Sequence, residues 1–464
     1  MAFVNREAEL AFLRSVRERG GGLVVVYGKR RVGKTALVRQ FTTDVPHVYF
    51  LADKAPESAQ LQALSEQVGL LFEDEFVRTR GFGTWTDAFR YLAGKGRVVL
   101  VIDEFPYLIE TNAAIPSIFQ KGWDEYLQGS GVLLILLGSS IGMMETEVLG
   151  YRSPLFGRRT GQLLVTSLSF WDLREFCACP PEELMGRYAI LGGMPAYWLR
   201  FDPHASLWAN IAENVLQPEA YLYGEPEFIL REELREPRNY FAILRAISLG
   251  KTRPGEIVNE TGLDKNLVGK YLSVLTDLRI VRREVPVTEW SAEKSKRGVY
   301  LIDEPFFRFW FRFVFPNRSF LEERRPEYVL DHKIKPALDL FVSQAFEDVC
   351  RAYVRKGWLE GPHFEQVGRW WTKEAEIDVV ALAEDAGTML VGEAKWSAKP
   401  VGIAVLEGLE RKAARVPWRA GRRQERYVLF SRGGFTRELR DRARREGVRL
   451  VDLADLVEST RPHG

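Results

Sequence analysis

The segment GGLVVVYGKRRVGKTALVRQF, residues 21–41, decides the fold of the N-terminal part of the chain. An apolar run leads into a loop bounded by Gly28 and Gly33, and a helix-forming stretch follows. This order of strand, loop and helix is the context that a phosphate-binding loop requires. The glycines let the backbone curl so that successive N–H groups point at phosphate oxygens near a helix N-terminus. The segment therefore predicts an α/β nucleotide-binding domain.

The loop itself, residues 28–35, reads GKRRVGKT. Its lysine is predicted to reach the β and γ phosphates of a nucleotide, and the threonine that follows offers a hydroxyl to Mg2+. We therefore expect ATP and Mg2+ as cofactors of this part of the chain. The predicted nucleotide-binding residues of the loop are its glycines, its lysine and their neighbours: Gly28, Arg31, Val32, Gly33, Lys34, Thr35 and Ala36.

A carboxylate for the same metal is supplied by RVVLVIDEFPYL, residues 97–108, which reads as a strand buried on both faces. Asp103 and Glu104 stand at its carboxyl end, where α/β sheets place their ligands. We expect Asp103 to hold Mg2+ and Glu104 to orient the attacking water; a helix cap is the alternative for the pair. A third buried strand, residues 131–140, ends in Ser139 and Ser140. Ser139 is a candidate sensor of the γ phosphate, and a turn or N-cap role remains open.

Several stretches together resemble the archaeal-type ATPases of the AAA+/STAND group: FVNREAEL (3–10), GKRRVGKT, VLVIDEFPYL (99–108), LLGSS (136–140) and LGGMPAYW (191–198). The resemblance implies that Arg6 and Glu7 lie by the adenine, and that Gly193 and Pro195 belong to a helical lid that senses nucleotide. The early motif of the group usually has Gly before Arg, whereas this chain has Asn5.

Arg158 and Arg159, in LFGRRTG, are candidate arginine fingers acting in cis or, in an oligomer, in trans. The alternative is ordinary surface charge for at least one of them.

The middle of the chain has the element order of a winged helix-turn-helix. Acidic and Pro-rich sequence over residues 224–238 indicates a boundary, and three helices and an alternating strand are predicted to follow. The third helix begins at the predicted N-cap Asp264. It could enter the major groove of DNA, although winged helices also serve as protein-binding modules. Candidate DNA contacts are Lys265, Asn266, Lys270 and Tyr271, with Arg279, Arg282 and Arg283 near the wing. The aromatic connector over residues 300–319 is expected to pack the winged helix onto the next domain.

Residues 339–354 read as an amphipathic helix that carries Glu347, and residues 369–396 read as two strands joined by a turn at 384–387. A tight turn sets Asp378 opposite Glu393, and the period of two puts Lys395 on the face of Glu393. Opposed carboxylates repel at a cost on the order of 1 kcal/mol. A divalent cation would neutralise them and suit phosphodiester hydrolysis, with Glu347 completing the acidic cluster.

This pattern resembles the restriction-endonuclease-like PD-(D/E)xK nucleases over roughly residues 341–456, with Ile377 in place of the usual Pro. The resemblance implies that Asp378 and Glu393 bind Mg2+ or Mn2+ and that Lys395 is catalytic. In the helix that follows, Arg411, Lys412 and Arg415 are expected to contact the phosphate backbone of DNA. The alternative is an exposed edge-strand pair of Glu393 and Lys395, with Asp378 at a turn.

Composition indicates a globular protein, because 46% of residues are hydrophobic, 28% are charged and the net charge is only +2. Residues 396–447 hold fourteen Lys and Arg against six Asp and Glu, which could face a polyanion or form a solvated helical face. Three cysteines provide neither a disulfide framework nor a zinc set. Together with the lack of a predicted signal peptide or membrane span, this favours the cytoplasm.

The fold class that we predict is α/β multidomain. We expect a P-loop ATPase core over residues 1–165, a helical lid over 166–235, a winged helix over 236–315, a linker over 316–340 and a nuclease-like α/β domain over 341–464. The predicted function is ATP hydrolysis that controls a winged-helix and nuclease tail acting on DNA. The alternatives are a STAND-type switch that binds DNA or a protein without cutting, and a transcription regulator that uses only the winged helix.

Overall fold

The computed structural model describes residues 3–234, 236–289, 291 and 294–459. The chain divides into two compact units. The first spans the residues up to Leu168 together with Met194–Ala196, and the second comprises Ser169–Gly193 and the residues from Tyr197 onward. Across the described residues, no helix combines the length and the apolar character needed to cross a membrane.

The first unit is built on a five-stranded sheet in which every pairing is parallel. Its strand order is β2-β3-β4-β1-β5. The strands are β1 (Gly22–Tyr27), β2 (His47–Leu51), β3 (Val99–Asp103), β4 (Leu133–Gly138) and β5 (Gly161–Leu164). The helices are α1 (Glu7–Glu18), α2 (Lys34–Thr42), α3 (Glu57–Leu71), α4 (Glu75–Arg80), α5 (Trp85–Ala93), α6 (Phe105–Thr111), α7 (Ile115–Gly122) and α8 (Ile141–Met143).

The central strands owe their positions to their sequence. Every residue of β1, β3 and β4 is buried, which matches their nearly continuous runs of Val, Leu and Ile. One core cluster joins these strands to an aromatic group in which Phe119 contacts Trp85, Phe89 and Phe105. The buried runs therefore fix the three strand ends at one edge of the sheet.

The second unit begins with helices. A 3-10 helix covers Phe170–Glu175, and α10 (Pro195–Trp198) spans the point where the chain leaves the first unit. The segment expected as a boundary is helical through Glu233 and accommodates Pro226 inside the helix. The helices are α9 (Pro181–Leu191), α11 (Leu207–Asn214), α12 (Tyr221–Glu233), α13 (Arg238–Ser248), α14 (Pro254–Thr261) and α15 (Lys265–Asp277).

The predicted order of three helices followed by a strand is confirmed. Helix α14 ends at Gly262 in the left-handed conformation, and Asp264 caps α15 by accepting from the N–H groups of Asn266 and Leu267. Strand β6 (Val281–Glu284) then pairs antiparallel with β7 (Val299–Ile302).

The aromatic connector, residues 300–319, lies between the α13–β7 segment and the tail and contacts both. Its chain runs through α16 (Pro305–Phe309) and a π-helical turn at Trp310–Val314. Phe241 of α13 contacts Trp310, and Phe309 contacts Phe341, which belongs to α19 (Leu338–Arg355). Residues 316–340, expected as a linker, contain α17 (Arg318–Glu322), α18 (Pro326–Val329) and further single turns of helix.

The tail contains a mixed five-stranded sheet in the order β12-β11-β10-β9-β8. The β8–β9 and β9–β10 pairs are antiparallel, and the β10–β11 and β11–β12 pairs are parallel. The strands are β8 (Gln366–Trp371), β9 (Glu376–Ala383), β10 (Thr388–Lys395), β11 (Gln424–Ser431) and β12 (Arg449–Asp452). The remaining helices are α20 (Ile403–Ala413), α21 (Arg437–Glu446) and α22 (Leu453–Glu458).

The cysteines differ from expectation. Cys177 and Cys179 are joined by a disulfide, and Cys350 is buried as a free thiol. The C-x-C spacing lacked the pattern of a disulfide framework, but the loop between the 3-10 helix and α9 brings the two side chains together.

We expect Phe309→Ala to lower the stability of the second unit by about 3–5 kcal/mol, because the ring is fully buried against Phe313 and Phe341. Phe228→Ala is the matched control, since half of that side chain is exposed. It should change stability by less than about 0.5 kcal/mol. Urea unfolding followed by tryptophan fluorescence measures both, and equal effects would contradict the assigned core.

Candidate functional site

The carboxyl ends of three adjacent strands gather the predicted ATPase residues. The phosphate loop follows β1, Ser139 follows β4, and Asp103 ends β3, with β4 lying between β3 and β1. The sequence could not give this order, because β3 and β1 are far apart in the chain. The sheet therefore brings the predicted loop, carboxylates and serine to one edge.

The phosphate loop adopts a curled backbone. Gly28, Arg31 and Gly33 have φ values of 155°, 67° and 96°. A Cβ at Gly28 would lie 2.3 Å from the carbonyl oxygen of Val165, so only glycine fits there. Among the described residues no side chain caps α2, which leaves its first N–H groups to an anion.

Lys34 lies over this loop. Its Nζ donates to the carbonyl oxygens of Gly28 and Lys29, each at 3.0 Å, and the side chain is buried. The ammonium group is thus held at the centre of the curled backbone, where phosphate oxygens would replace carbonyl oxygens as acceptors.

The predicted Mg2+ ligands are in contact. Thr35 Oγ1 donates to Asp103 Oδ2 at 3.0 Å. Tyr49, on β2, donates to the same oxygen at 2.5 Å. Burial raises the pKa of Tyr49, and its hydrogen bond to Asp103 raises it further, so the phenol remains a proton donor. A hydroxyl beside a carboxylate is the hard oxygen donor set that suits Mg2+. Tyr49 was missed from sequence because nothing there indicates that β2 neighbours β3.

Glu104 and Ser139 form the next pair. Ser139 Oγ donates to Glu104 Oε2 at 2.8 Å, and the backbone N–H of Glu104 donates to Asp103 Oδ1 at 2.9 Å. Glu104 has a φ of 54°, an uncommon conformation for a non-glycine residue. Two neighbouring strand ends therefore orient this carboxylate.

Arg6 lies against the phosphate loop, and its expected place by the adenine stays a prediction. It is buried and donates to the carbonyl oxygens of Val32 at 3.4 Å and Thr166 at 2.5 Å, so its guanidinium ties the loop to the segment after β5. Glu7 is exposed. Pro195 lies by the loop, since a Cβ at Gly33 would be 3.9 Å from its Cγ.

The arginine-finger prediction in cis is not supported. Arg158 pairs with Asp124 at 3.2 Å, and Arg159 donates to the carbonyl oxygen of Leu149. Both arginines precede β5, which runs parallel to β1. They therefore lie at the opposite edge of the sheet from Lys34, about 20 Å away for strands of six residues. A role in trans stays a prediction.

The predicted DNA-contact residues are only partly available. Lys265, Asn266 and Lys270 are exposed along α15. Tyr271, in contrast, accepts from Asn239 at 2.9 Å and contacts Tyr240.

The wing arginines likewise take part in internal contacts. Arg282 lies on β6, and its side chain pairs with Asp303 at 3.2 Å and Asp348 at 3.0 Å. Arg283 donates to the carbonyl oxygen of Ser295.

The predicted register of the C-terminal hairpin is confirmed. Strands β9 and β10 pair from Thr388–Ala383 to Gly392–Val379, and the next position along this register sets Glu393 opposite Asp378. Asp378 Oδ2 accepts from the N–H of Ala394 at 2.9 Å. The alternative of an exposed edge-strand pair is wrong, since Glu393 lies on a central strand and is buried.

Lysines surround Glu393. Lys395 Nζ donates to Glu393 Oε1 at 2.7 Å, and Lys412 Nζ donates to both carboxylate oxygens at 3.0 Å. Lys412, expected as a DNA-backbone contact, instead forms an ion pair inside the site. Burial lowers the pKa of Lys395, but the hydrogen bond to Glu393 and the charges of the surrounding carboxylates together raise it overall.

Glu347 is not combined with Asp378 and Glu393 into a three-carboxylate metal site. Among the described residues no group of three or more His, Cys, Asp or Glu side chains is placed to hold a metal. The predicted cluster fails because Glu347 lies against Arg351 at 3.7 Å, while Glu393 binds two lysines. Binding of Mg2+ or Mn2+ by Asp378 and Glu393 without Glu347 stays a prediction.

Arg351 was missed from sequence. It donates to the carbonyl oxygen of Asp378 at 2.7 Å and pairs with Asp348 at 2.7 Å. Burial, followed by the neighbouring carboxylate, raises the pKa of Glu347 to about 8 and that of Asp378 to about 6. The sequence could have indicated this contact, because Arg351 stands one helical turn after Glu347 and such residues are neighbours on a helix.

Known families match two parts of the chain. Residues 3–200 match a family described as an ATPase domain predominantly from Archaea, and residues 310–414 match one described as archaeal and bacterial proteins of unknown function. Uncharacterized protein MJECL04 of Methanocaldococcus jannaschii is 33% identical over 400 residues, which cover 85% of this chain and 87% of that protein.

Two further proteins resemble parts of the chain. Uncharacterized ATP-binding protein MJ0423 of the same organism is 52% identical over 40 residues, or 8% of this chain and 68% of that protein. The Walker-type ATPase PABY2304 of Pyrococcus abyssi has a similar fold with a TM-score of 0.50 and 22% identity. That likeness covers 67% of this chain and 96% of the other.

We expect Glu347→Gln to reduce the loss of stability at rising pH. Between about pH 4.5 and pH 8 the folded protein keeps the Glu347 proton that the unfolded chain has released, so wild-type stability falls as pH rises through this window. Glutamine cannot ionise and should remove about 2–3 kcal/mol of that fall, a value discounted for coupling to Asp378.

Urea unfolding at a series of pH values measures this slope. Glu374→Gln is the control because its side chain is 81% exposed, and it should retain the wild-type slope. Parallel curves for wild type and Glu347→Gln would show that Glu347 ionises normally in the folded protein.

Proposed function

We infer the function from a family membership: this chain belongs to the family of uncharacterized protein MJECL04, and its N-terminal part is an ATPase domain of the predominantly archaeal type. We propose that the chain binds ATP at the edge formed by the phosphate loop and hydrolyses it there. The observation that carries the proposal is the 3.0 Å contact between Thr35 and Asp103 directly beside the curled loop. Two segments separated by most of a domain meet there in a donor set that suits Mg2+.

The residues divide the chemistry as follows. The N–H groups of the loop and of the first turn of α2 donate to the phosphate oxygens, and Lys34 exchanges its two carbonyl acceptors for phosphate oxygens. Thr35 and Asp103 would hold Mg2+, which when bound neutralises phosphate charge. Glu104, oriented by Ser139, positions the attacking water and accepts its proton.

Nucleotide state is proposed to control the rest of the chain as a STAND-type switch. Pro195 lies by Gly33 within the first unit, while its near neighbours Gly193 and Tyr197 belong to the second. Phosphates bound at Gly33 would shift Pro195. Because Met194–Ala196 is joined to the second unit at both of its ends, a shift of Pro195 would move the adjoining backbone of that unit. Pro195 would thus sense the nucleotide and pass its state to the second unit.

We expect Lys34→Ala to abolish ATP hydrolysis and to weaken ATP binding at least about tenfold, because charge-assisted phosphate contacts are lost. Glu104→Gln should abolish hydrolysis and retain binding, since only the proton acceptor is removed. Phosphate release and fluorescent-nucleotide binding measure the two properties separately.

Lys121→Ala is the control for this pair, because the lysine is exposed on α7 and its ion pair with Glu125 is long, at 3.9 Å. It should match wild type in both assays. Hydrolysis retained in Lys34→Ala would remove the phosphate-loop assignment, and hydrolysis retained in Glu104→Gln would assign the water to another group.

Metal-dependent cleavage of DNA by the tail is a second candidate function. The observation that favours it is the hairpin register, which sets Glu393 opposite Asp378 with Lys395 beside them. The ion pair of Lys412 with Glu393 counts against it and favours a switch that binds DNA without cutting. Exposed Lys265 and Lys270 on α15 support DNA as the partner in either case.

If the tail cleaves DNA, the protein with Mg2+ or Mn2+ should cut supercoiled, linear or single-stranded DNA, and Asp378→Ala should lose that activity. ATP hydrolysis should stay at the wild-type rate in the variant, which excludes general unfolding. DNA bound but left intact in every metal would establish the non-cutting switch, and equal cutting by both proteins would indicate a contaminant.

A further inference from the structure

A cavity of about 110 Å3 in the second unit is lined by far more positive than negative side chains. It is bordered by α13, by β6 and β7, by α16 with the π-helical turn that follows it, by α19 and by β8. Five arginines line it against two carboxylates: Arg282, Arg308, Arg312, Arg351 and Arg369 with Glu347 and Asp348. A cavity of this size has room for a few waters or one small anion.

Three of the arginines are balanced by carboxylates. Arg282 pairs with Asp303 and Asp348, and Arg351 pairs with Asp348. Arg369 pairs with two carboxylates outside the lining, Glu284 and Glu376. The unbalanced positive charge of the cavity therefore lies on α16 and the π-helical turn that follows it.

Arg308 and Arg312 carry that excess. Arg308 Nη1 is 4.0 Å from Asp348 Oδ2, beyond hydrogen-bonding distance, and its guanidinium lies over the ring of Phe341. Its Nε is buried with no hydrogen-bond acceptor among the described residues. Arg312 donates to the carbonyl oxygen of Ser248 at 3.3 Å and forms no ion pair with any residue that the structure describes.

An unsatisfied buried donor lowers stability, more so when it is charged, and this cost calls for a partner. Burial lowers the pKa of Arg308, which has the same physical origin as this cost. Asp348 does not satisfy Arg308 as a hydrogen-bond acceptor, because Arg282 and Arg351 already donate to it. A tetrahedral oxyanion can accept from several guanidinium groups in different directions, and phosphate matches the arginine fork.

We propose that this cavity binds one phosphate dianion, either inorganic phosphate or a phosphate monoester, through Arg308 and Arg312. The site is separate from the phosphate loop, which belongs to the other compact unit. A bound dianion would join the connector helix to the winged-helix residues Ser248 and Gly250 at the cavity wall. It would thereby stabilise that part of the unit in one arrangement.

The test uses the full chain with Lys34→Ala, which weakens phosphate binding at the loop. Inorganic phosphate is titrated calorimetrically against this protein, with chloride at equal ionic strength as the reference. We expect saturable binding of one phosphate per chain, at least about tenfold weaker when Arg308→Gln is added, as expected for loss of a charged donor. A 5′-phosphorylated dinucleotide forms a second arm and distinguishes a monoester ligand from free phosphate.

Arg444→Gln is the matched control, since that side chain is 80% exposed on α21, and it should leave the affinity unchanged. If circular dichroism shows that Arg308→Gln has lost its fold, Arg312→Gln decides, because it removes the other guanidinium group proposed to bind the phosphate. Phosphate and chloride giving the same signal would overturn the proposal. So would equal affinities in the folded arginine variant and the control.

Discussion

The hydrogen bond from Thr35 to Asp103 is the contact on which the nucleotide site depends. It joins the first turn of α2 to the end of β3, two elements that meet only because β4 lies between β1 and β3. The completely buried central strands fix that order, since a shift in pairing would expose their runs of Val, Leu and Ile. Tyr49 adds a second donor from β2. Catalytic geometry here follows directly from sheet packing.

Asp348 has a comparable role in the second unit. Burial opposes its ionisation, but Arg282, Arg351 and Arg308 hold its pKa well below the usual range. A charged pair of this kind is costly to break from one side, because the remaining charge stays buried. Arg282 lies on β6, Arg308 on α16 and Asp348 on α19. This network therefore links three elements, and its surplus of guanidinium groups is what makes the adjacent cavity attractive to an anion.

Local sequence patterns predicted the elements well and their side-chain partners poorly. The buried runs, the cap at Asp264 and the hairpin register are short-range properties, and each is present in the structure. Arg6 and Lys412 were assigned to ligands because charge near a motif is ambiguous without tertiary contacts. The structure pairs the first with backbone carbonyls and the second with Glu393. Tyr49 had no local signal, since strand order is a long-range property.

The tail shows why opposed carboxylates do not by themselves establish a metal site. Repulsion between Asp378 and Glu393 must be compensated, and a divalent cation is one group that would do so. The structure supplies two other compensations: Lys395 and Lys412 neutralise Glu393, and a raised pKa of about 6 lets Asp378 take up a proton. A metal would have to displace Lys412 from both oxygens of Glu393. Helix α20 therefore bears on any metal binding by the tail, because it holds the lysine that competes for the same carboxylate.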